Sequence, residues 1–271
     1  MVATLIRYEW LRTWRWLGVL VGGATLFVAA GALAGSLFPA PLNGILGGMG
    51  MVVATAFPML LPLLLGVDYY RSTFSKTGYF TAAIPARGAT IYWVKLAYAY
   101  LVTALGFVVT SGLMVLAGIG MMRPMGMETN FMLDALQSMG DLFAVLPLGG
   151  KVALTVLLLL YPLVSLAGFF FAATVGSESA FNRMGLGGVV LAWALYYVAT
   201  QVLGVLGLLL PPSLLLSDFP NLSLSWAPMA FFTQAEDAAY LPIFALLLQF
   251  AVGVAAILWA KVSYDKRLEL R

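Results

Sequence analysis

Six long runs of uncharged, apolar residues constrain this chain more than any other feature of its sequence. None of the runs contains an Asp, Glu, Lys or Arg, and they cover residues 17–38, 45–67, 96–120, 152–175, 186–210 and 241–260. Each is as long as the roughly 20 residues with which a helix crosses the hydrocarbon core of a bilayer. The sequence therefore predicts an all-α membrane protein with six transmembrane helices, forming one domain over residues 1–271.

The basic residues are distributed unevenly over the segments that flank these runs. Of the 14 lysines and arginines, all but Arg123 and Lys151 fall at the N-terminus, between the second and third runs, between the fourth and fifth, or at the C-terminal end. Cytoplasmic segments are enriched in Lys and Arg. We therefore expect a multi-pass protein of the bacterial cytoplasmic (inner) membrane with both termini in the cytoplasm.

Composition argues against several kinds of chemistry. The chain has no Cys and no His, which excludes disulfides, thiolate chemistry and imidazole metal ligands. Its carboxylates are too scattered to suggest a metal site, and its basic residues flank apolar runs, which favours membrane topology over nucleic-acid binding. A GxxxxGK[ST] phosphate loop is missing, as are GxSxG and HExxH. We expect no enzyme activity, no catalytic residue and no cofactor in this chain itself.

The predicted membrane interior is polar only through neutral side chains. Four of them are candidates for a substrate pathway, namely Tyr161, Ser165, Gln201 and Gln249. Proton-coupled and cation-coupled carriers usually place an ionisable group in the membrane, so the neutral interior disfavours that class. A Gln amide is costly in hydrocarbon without a partner. The two glutamines either join helices or face a substrate, and both interpretations remain open.

The segments outside the runs carry further patterns. Val2, Ile6, Trp10 and Trp14 recur every four residues opposite Arg7, Arg12 and Arg15, which predicts an amphipathic interfacial (elbow) helix over residues 1–16. The alternative is an extension of the first span. The glycine pairs at 31 and 35 and at 44 and 48 predict close helix packing. We expect a short surface helix within 121–151, and a re-entrant hairpin within 211–240, whose apolar stretch is too short to span.

The longest predicted cytoplasmic loop, Asp68–Lys95, is rich in aromatic residues rather than charges. Phe74, Tyr79, Phe80 and Ile84 form an apolar set around Gly78, and Pro85 ends a short predicted helix. Such a loop either folds onto its own bundle or docks into a partner protein, because exposed aromatics are typical of binding surfaces.

In this loop and in its overall layout, the sequence resembles the permease subunits of type-2 ATP-binding-cassette (ABC) exporters. The matching residues are Lys76-Thr77-Gly78-Tyr79-Phe80, then Ile84-Pro85-Ala86-Arg87, then Lys95. The resemblance implies that the loop is the coupling loop, which inserts into a separate ATPase subunit through Phe74, Lys76, Gly78, Tyr79, Phe80, Ile84, Pro85 and Arg87. The shorter segment 176–185 is a possible second coupling contact through Glu178 and Arg183.

The resemblance also implies partners and a mechanism. The ATPase is expected in two copies, with ATP and Mg bound to it, and a second permease is expected as a homodimer or heterodimer partner. ATP binding would drive alternating access and export an amphipathic or hydrophobic substrate, such as a peptide antibiotic, a drug or a lipid-like molecule. The main alternative is a non-transporting membrane anchor or assembly subunit that recruits a soluble partner. An ion-coupled carrier is a further, less favoured alternative.

Overall fold

The computed structural model describes residues 2–39, 41–75, 78, 87–122, 131–182, 184–215, 223–227 and 240–266. Helices dominate these residues. They are α1 (Val2–Leu37), α2 (Leu42–Thr73), α3 (Gly88–Met122), α4 (Phe131–Val145), α5 (Leu148–Val175), α6 (Ser179–Asn182), α7 (Leu186–Leu209) and α8 (Ile243–Lys266). Three short strands, β1 (Ser213–Leu215), β2 (Ser223–Ser225) and β3 (Tyr240–Leu241), lie between α7 and α8.

Six helices in the described part of the chain are long and apolar enough to cross a bilayer: α1, α2, α3, α5, α7 and α8. Large apolar side chains lie open on their surfaces, as at Val19 (76% exposed), Val108 (70%) and Leu148 (79%). Soluble monomers rarely expose apolar surface on this scale. The prediction of six spans is confirmed, and the chain is a multi-pass membrane protein.

Helix α1 is one continuous helix and extends well beyond the predicted first span. Its 36 residues measure about 54 Å, against roughly 30 Å for the hydrocarbon core. The predicted separation into an interfacial helix and a span near residue 16 is not seen. No proline interrupts this region, and buried Glu9 and Thr13 fix its early turns against α3. Trp10 and Trp14 are exposed.

The contacts divide the chain into two compact units, and the first comprises Met1–Leu65 and Thr90–Val145. Close helix approaches in it depend on glycine. A β-carbon at Gly31 would lie 2.9 Å from the Leu46 carbonyl oxygen, and one at Gly35 would collide with the Gly120 carbonyl. The predicted packing role of this first glycine pair is confirmed. At the pair at 44 and 48 no described atom of the chain lies within 4 Å of the β-carbon, so helix packing at this pair stays a prediction. This unit also contains α4, the short helix predicted within 121–151.

The second unit comprises Gly66–Ala89 and Leu146–Arg271. In it α8 packs against both α5 and α7, which approach each other as well. At one crossing, a β-carbon on Gly207 would lie 2.7 Å from the Ala245 Cα atom. The buried apolar residues of this packing include Leu166, Phe170 and Ile257.

A small antiparallel sheet, ordered β2-β1-β3, lies where the sequence predicted a re-entrant hairpin. Ser213 pairs with Ser225, and Leu214 pairs with Leu224 on one side and Leu241 on the other. Pro211 and Pro212 end α7 because proline cannot continue a helix, and the backbone groups beyond them pair between strands. The described part of this segment is therefore extended rather than helical. Residues 216–222 and 228–239 lie outside the described part.

Candidate functional site

The predicted coupling loop is described at its two ends and at Gly78. Five of its candidate residues lie outside the described part, namely Lys76, Tyr79, Phe80, Ile84 and Pro85, and so does Arg183 of the second predicted contact. Arg87 is exposed. The Gly78 N–H donates to the Ser75 carbonyl oxygen over 2.7 Å, and a β-carbon there would lie 2.8 Å from the Thr73 carbonyl carbon. This close approach requires glycine at position 78.

The first end of the loop, Phe74, belongs to an aromatic cluster in the second unit. Its ring lies edge-on to Tyr69, with centroids 5.6 Å apart, and 6.1 Å from the ring of Tyr264 on α8. Tyr69 in turn stacks on Phe170 of α5 at 4.2 Å, with the rings 13° from parallel. The Tyr69 hydroxyl is within hydrogen-bond distance of the Thr174 hydroxyl, at 3.0 Å. These contacts anchor the start of the loop to α5 and α8.

The second end of the loop meets the same turn of α8. A β-carbon at Gly88 would lie 3.1 Å from Tyr264 Cε1 and 3.2 Å from the Asp265 carboxylate oxygen Oδ1. The aromatic ring of Tyr264 is therefore next to both ends of the loop. The two described ends of the predicted coupling loop therefore meet at Tyr264 on α8.

Glu178 lies in the connection from α5 to α6, and its side chain contacts Ser263, the residue of α8 that precedes Tyr264. Its side chain is only 9% exposed, and its Oε1 atom accepts a hydrogen bond from the Ser263 hydroxyl at 2.6 Å. Ser263 itself is buried. A buried carboxylate with an internal donor is poorly placed to touch another protein directly, so the predicted second coupling contact stays a prediction. We call Phe74, Gly88, Glu178, Ser263 and Tyr264 together the α8 joint.

The contacts of the α8 joint are those of packing and hydrogen bonding. Among these residues there is no group of three or more Asp, Glu, His or Cys that could hold a metal ion. Comparisons with protein-family models, curated proteins and solved structures find no match. The α8 joint brings both ends of the predicted coupling loop and the connection from α5 to α6 against one turn of α8. Such an arrangement can transmit movement between these segments.

The four candidate substrate-pathway residues have different surroundings. The Gln249 amide donates to the Thr200 carbonyl oxygen on α7 over 3.2 Å, so it joins two helices, one of the two roles considered above. The Ser165 hydroxyl donates to the Pro162 carbonyl oxygen of its own helix. Tyr161 and Gln201 are exposed, and within the described residues the Gln201 amide shows no hydrogen bond. Of these four residues, Tyr161 and Gln201 are the most exposed, and their place in a substrate pathway stays a prediction.

A buried ion pair in the first unit escaped prediction. The Lys95 ammonium lies 2.9 Å from Glu9 Oε1, and Arg12 pairs with the same carboxylate. The Thr13 hydroxyl contacts Tyr98 on α3. A sequence signal was present, because Glu9, Thr13 and Leu17 recur every four residues. The predicted interfacial stripe of α1 carries Trp10 and Trp14, which are exposed, whereas this partly polar face is buried.

Proposed function

We propose that this chain is a permease subunit of a type-2 ABC exporter in the bacterial cytoplasmic membrane, with both termini in the cytoplasm. It would act with a second permease and two copies of a separate ATPase, and would move an amphipathic or hydrophobic substrate outward by alternating access. The observation that carries the proposal is the closed base of the predicted coupling loop, since Phe74 and Gly88 both lie against Tyr264.

A closed base is what a loop needs in order to transmit force. If the loop began and ended on separate, loosely packed elements, pressure on its tip would bend the loop and leave the helices in place. Here the base is held by ring contacts and by the buried Tyr69, which stacks on Phe170. Packed aromatic groups resist compression and favour discrete rearrangements. Displacement of the loop by an ATPase would thus move α8 and α5.

Two finer features belong to the same proposal. The first turns of α1 expose Trp10 and Trp14, and the Arg15 guanidinium lies 5.6 Å from the Trp14 ring centroid. Tryptophan and arginine side chains suit the headgroup region, so these turns would contact the inner leaflet in place of the elbow, as a continuous extension of the first span. The segment 211–240 would lie at the outer face, where a re-entrant hairpin is expected in the family.

Reconstitution with the ATPase tests the proposal. The tagged chain is purified in mild detergent with the ATPase that accompanies it, returned to lipid, and assayed for ATP hydrolysis. We expect Phe80→Asp and Arg87→Glu to weaken ATPase binding roughly 30-fold, the equivalent of a central interface residue worth about 2 kcal/mol. Lys151→Glu makes the same charge reversal on the predicted outer side and should change neither binding nor hydrolysis.

Three results would contradict the proposal in different ways. If both loop variants bind the ATPase and support ATP hydrolysis as fully as the unchanged chain, the coupling loop is not part of the ATPase interface. A stable soluble partner with no nucleotide hydrolysis would favour the anchor or assembly subunit. Substrate flux through the chain alone, driven by an ion gradient, would favour the ion-coupled carrier.

A further inference from the structure

We propose that the last turn of α8 couples the two predicted cytoplasmic loops to each other, with Ser263, Tyr264 and Glu178 as positioning residues. The inference rests on the proposed function for its biological role, because it assigns the route by which the coupling loop at 74–87 and the segment 176–185 move together. Its physical content concerns only contacts within the second unit.

Two consecutive residues of α8 face two different segments of the chain. Ser263 donates to Glu178, just after α5, whereas Tyr264 contacts Phe74 and approaches Gly88 at the two ends of the coupling loop. Successive side chains on a helix point about 100° apart, so one rigid turn can reach both segments. If the turn rotates to keep its contact with one segment when that segment moves, its contact with the other segment must shift.

The contacts of this turn with Glu178 and with the coupling loop are both close. Ser263 is 1% exposed and its hydroxyl lies 2.6 Å from a carboxylate oxygen, a short bond to a charged acceptor. On the other side, the hypothetical β-carbon at Gly88 stands 3.1 Å from the Tyr264 ring. A side chain larger than hydrogen at position 88 would press on this ring. Packed interfaces of this kind change between discrete arrangements rather than deforming gradually.

Because the chain contains no cysteine, a single introduced thiol reports on one place. Met184→Cys places the thiol in the segment 176–185, at a position that is 56% exposed. The full chain is placed in lipid nanodiscs, and the rate of maleimide labelling is measured with and without Phe74→Ala, which perturbs the other loop. Leu148→Cys, at the opposite end of α5, serves as the control thiol.

We expect Phe74→Ala to change the labelling rate of Met184→Cys several-fold and to leave that of Leu148→Cys unchanged. With Ser263→Ala or Glu178→Ala in the background, Phe74→Ala should no longer alter labelling at Met184→Cys. Glu178→Gln keeps an acceptor oxygen, and Tyr264→Phe keeps the ring, so both should preserve the effect. The joint would be overturned if Phe74→Ala left the labelling rate of Met184→Cys unchanged. It would also be overturned if Phe74→Ala changed that rate equally with Ser263 and with Ser263→Ala.

The labelling experiment separates this inference from the proposed function. If Phe74→Ala changes the labelling rate at Met184→Cys (the cross-effect) but no ATPase assembles with the chain, the joint is supported and the exporter proposal fails. Conversely, an ATPase whose hydrolysis responds to the loop variants, together with an absent cross-effect, would support the exporter and overturn the joint. With both in place, Ser263→Ala should keep ATPase binding and lower the permease-dependent hydrolysis.

Discussion

The buried ion pair of α1 and α3 leads to a quantitative prediction. The Lys95 side chain is 5% exposed and that of Glu9 is 8% exposed, whereas Arg12, which shares the carboxylate, is 24% exposed. Glu9→Ala removes the counter-charge of a buried ammonium, so we expect it to lower the free energy of unfolding by about 3–5 kcal/mol. Lys95→Met leaves Glu9 with Arg12, and we expect a loss of about 1.5 kcal/mol, the value of one hydrogen bond to a charged group.

The measurement is reversible unfolding of the purified chain in mixed micelles, with the fluorescence of its tryptophans as the signal. The double variant Glu9→Ala with Lys95→Met leaves no buried ammonium, so it should be more stable than Glu9→Ala alone. The non-additivity of the two changes gives their coupling. Equal losses in the two single variants, with simple additivity in the double variant, would refute the account of an asymmetric buried pair.

Three further predictions concern helix contacts and use the same unfolding measurement. Tyr69→Phe keeps the stacked ring but loses the hydrogen bond to Thr174, so we expect a loss of about 1 kcal/mol; no change would show that this bond contributes nothing. Gly31→Leu should destabilise the chain by more than about 2 kcal/mol because it forces backbones apart, while Gly44→Leu, in open space, should stay within about 0.5 kcal/mol; equal effects would contradict the packing. Gln249→Leu should lose about 0.6–1.7 kcal/mol with the bond between α8 and α7, and a gain in stability would contradict that role.

The six spans were predictable because the signal for a transmembrane helix is local. A window of about 20 apolar residues carries both the length and the absence of charge that define a span. Helix ends were not predictable in the same way. Hydrogen bonding continues α1 back to Val2 and α8 on to Lys266, through residues whose charges end the apolar run but do not end the helix. Hydropathy indicates whether a residue lies in lipid or in water, and it does not report the backbone conformation of that residue.

The α8 joint and the ion pair depend on residues far apart in sequence, which explains why only half of each was anticipated. Phe74 and Glu178 were identified as candidates from their loops, but Ser263 and Tyr264 lie in a tail in which we had considered only the charges. Similarly, Lys95 was part of the family pattern, whereas its partner Glu9 is 86 residues away. A single sequence holds no signal that pairs such positions.

The most direct test of the central claim is to identify what touches the coupling loop in the native membrane. Arg87→Cys supplies the only thiol of the chain, at an exposed position, and can carry a photoreactive maleimide in membranes from cells that make the protein. Lys151→Cys provides the matched control on the predicted outer side. The account predicts that Arg87→Cys captures an ABC ATPase with a phosphate loop and that Lys151→Cys does not. Capture of lipid alone, or of a protein without a nucleotide site, would contradict it.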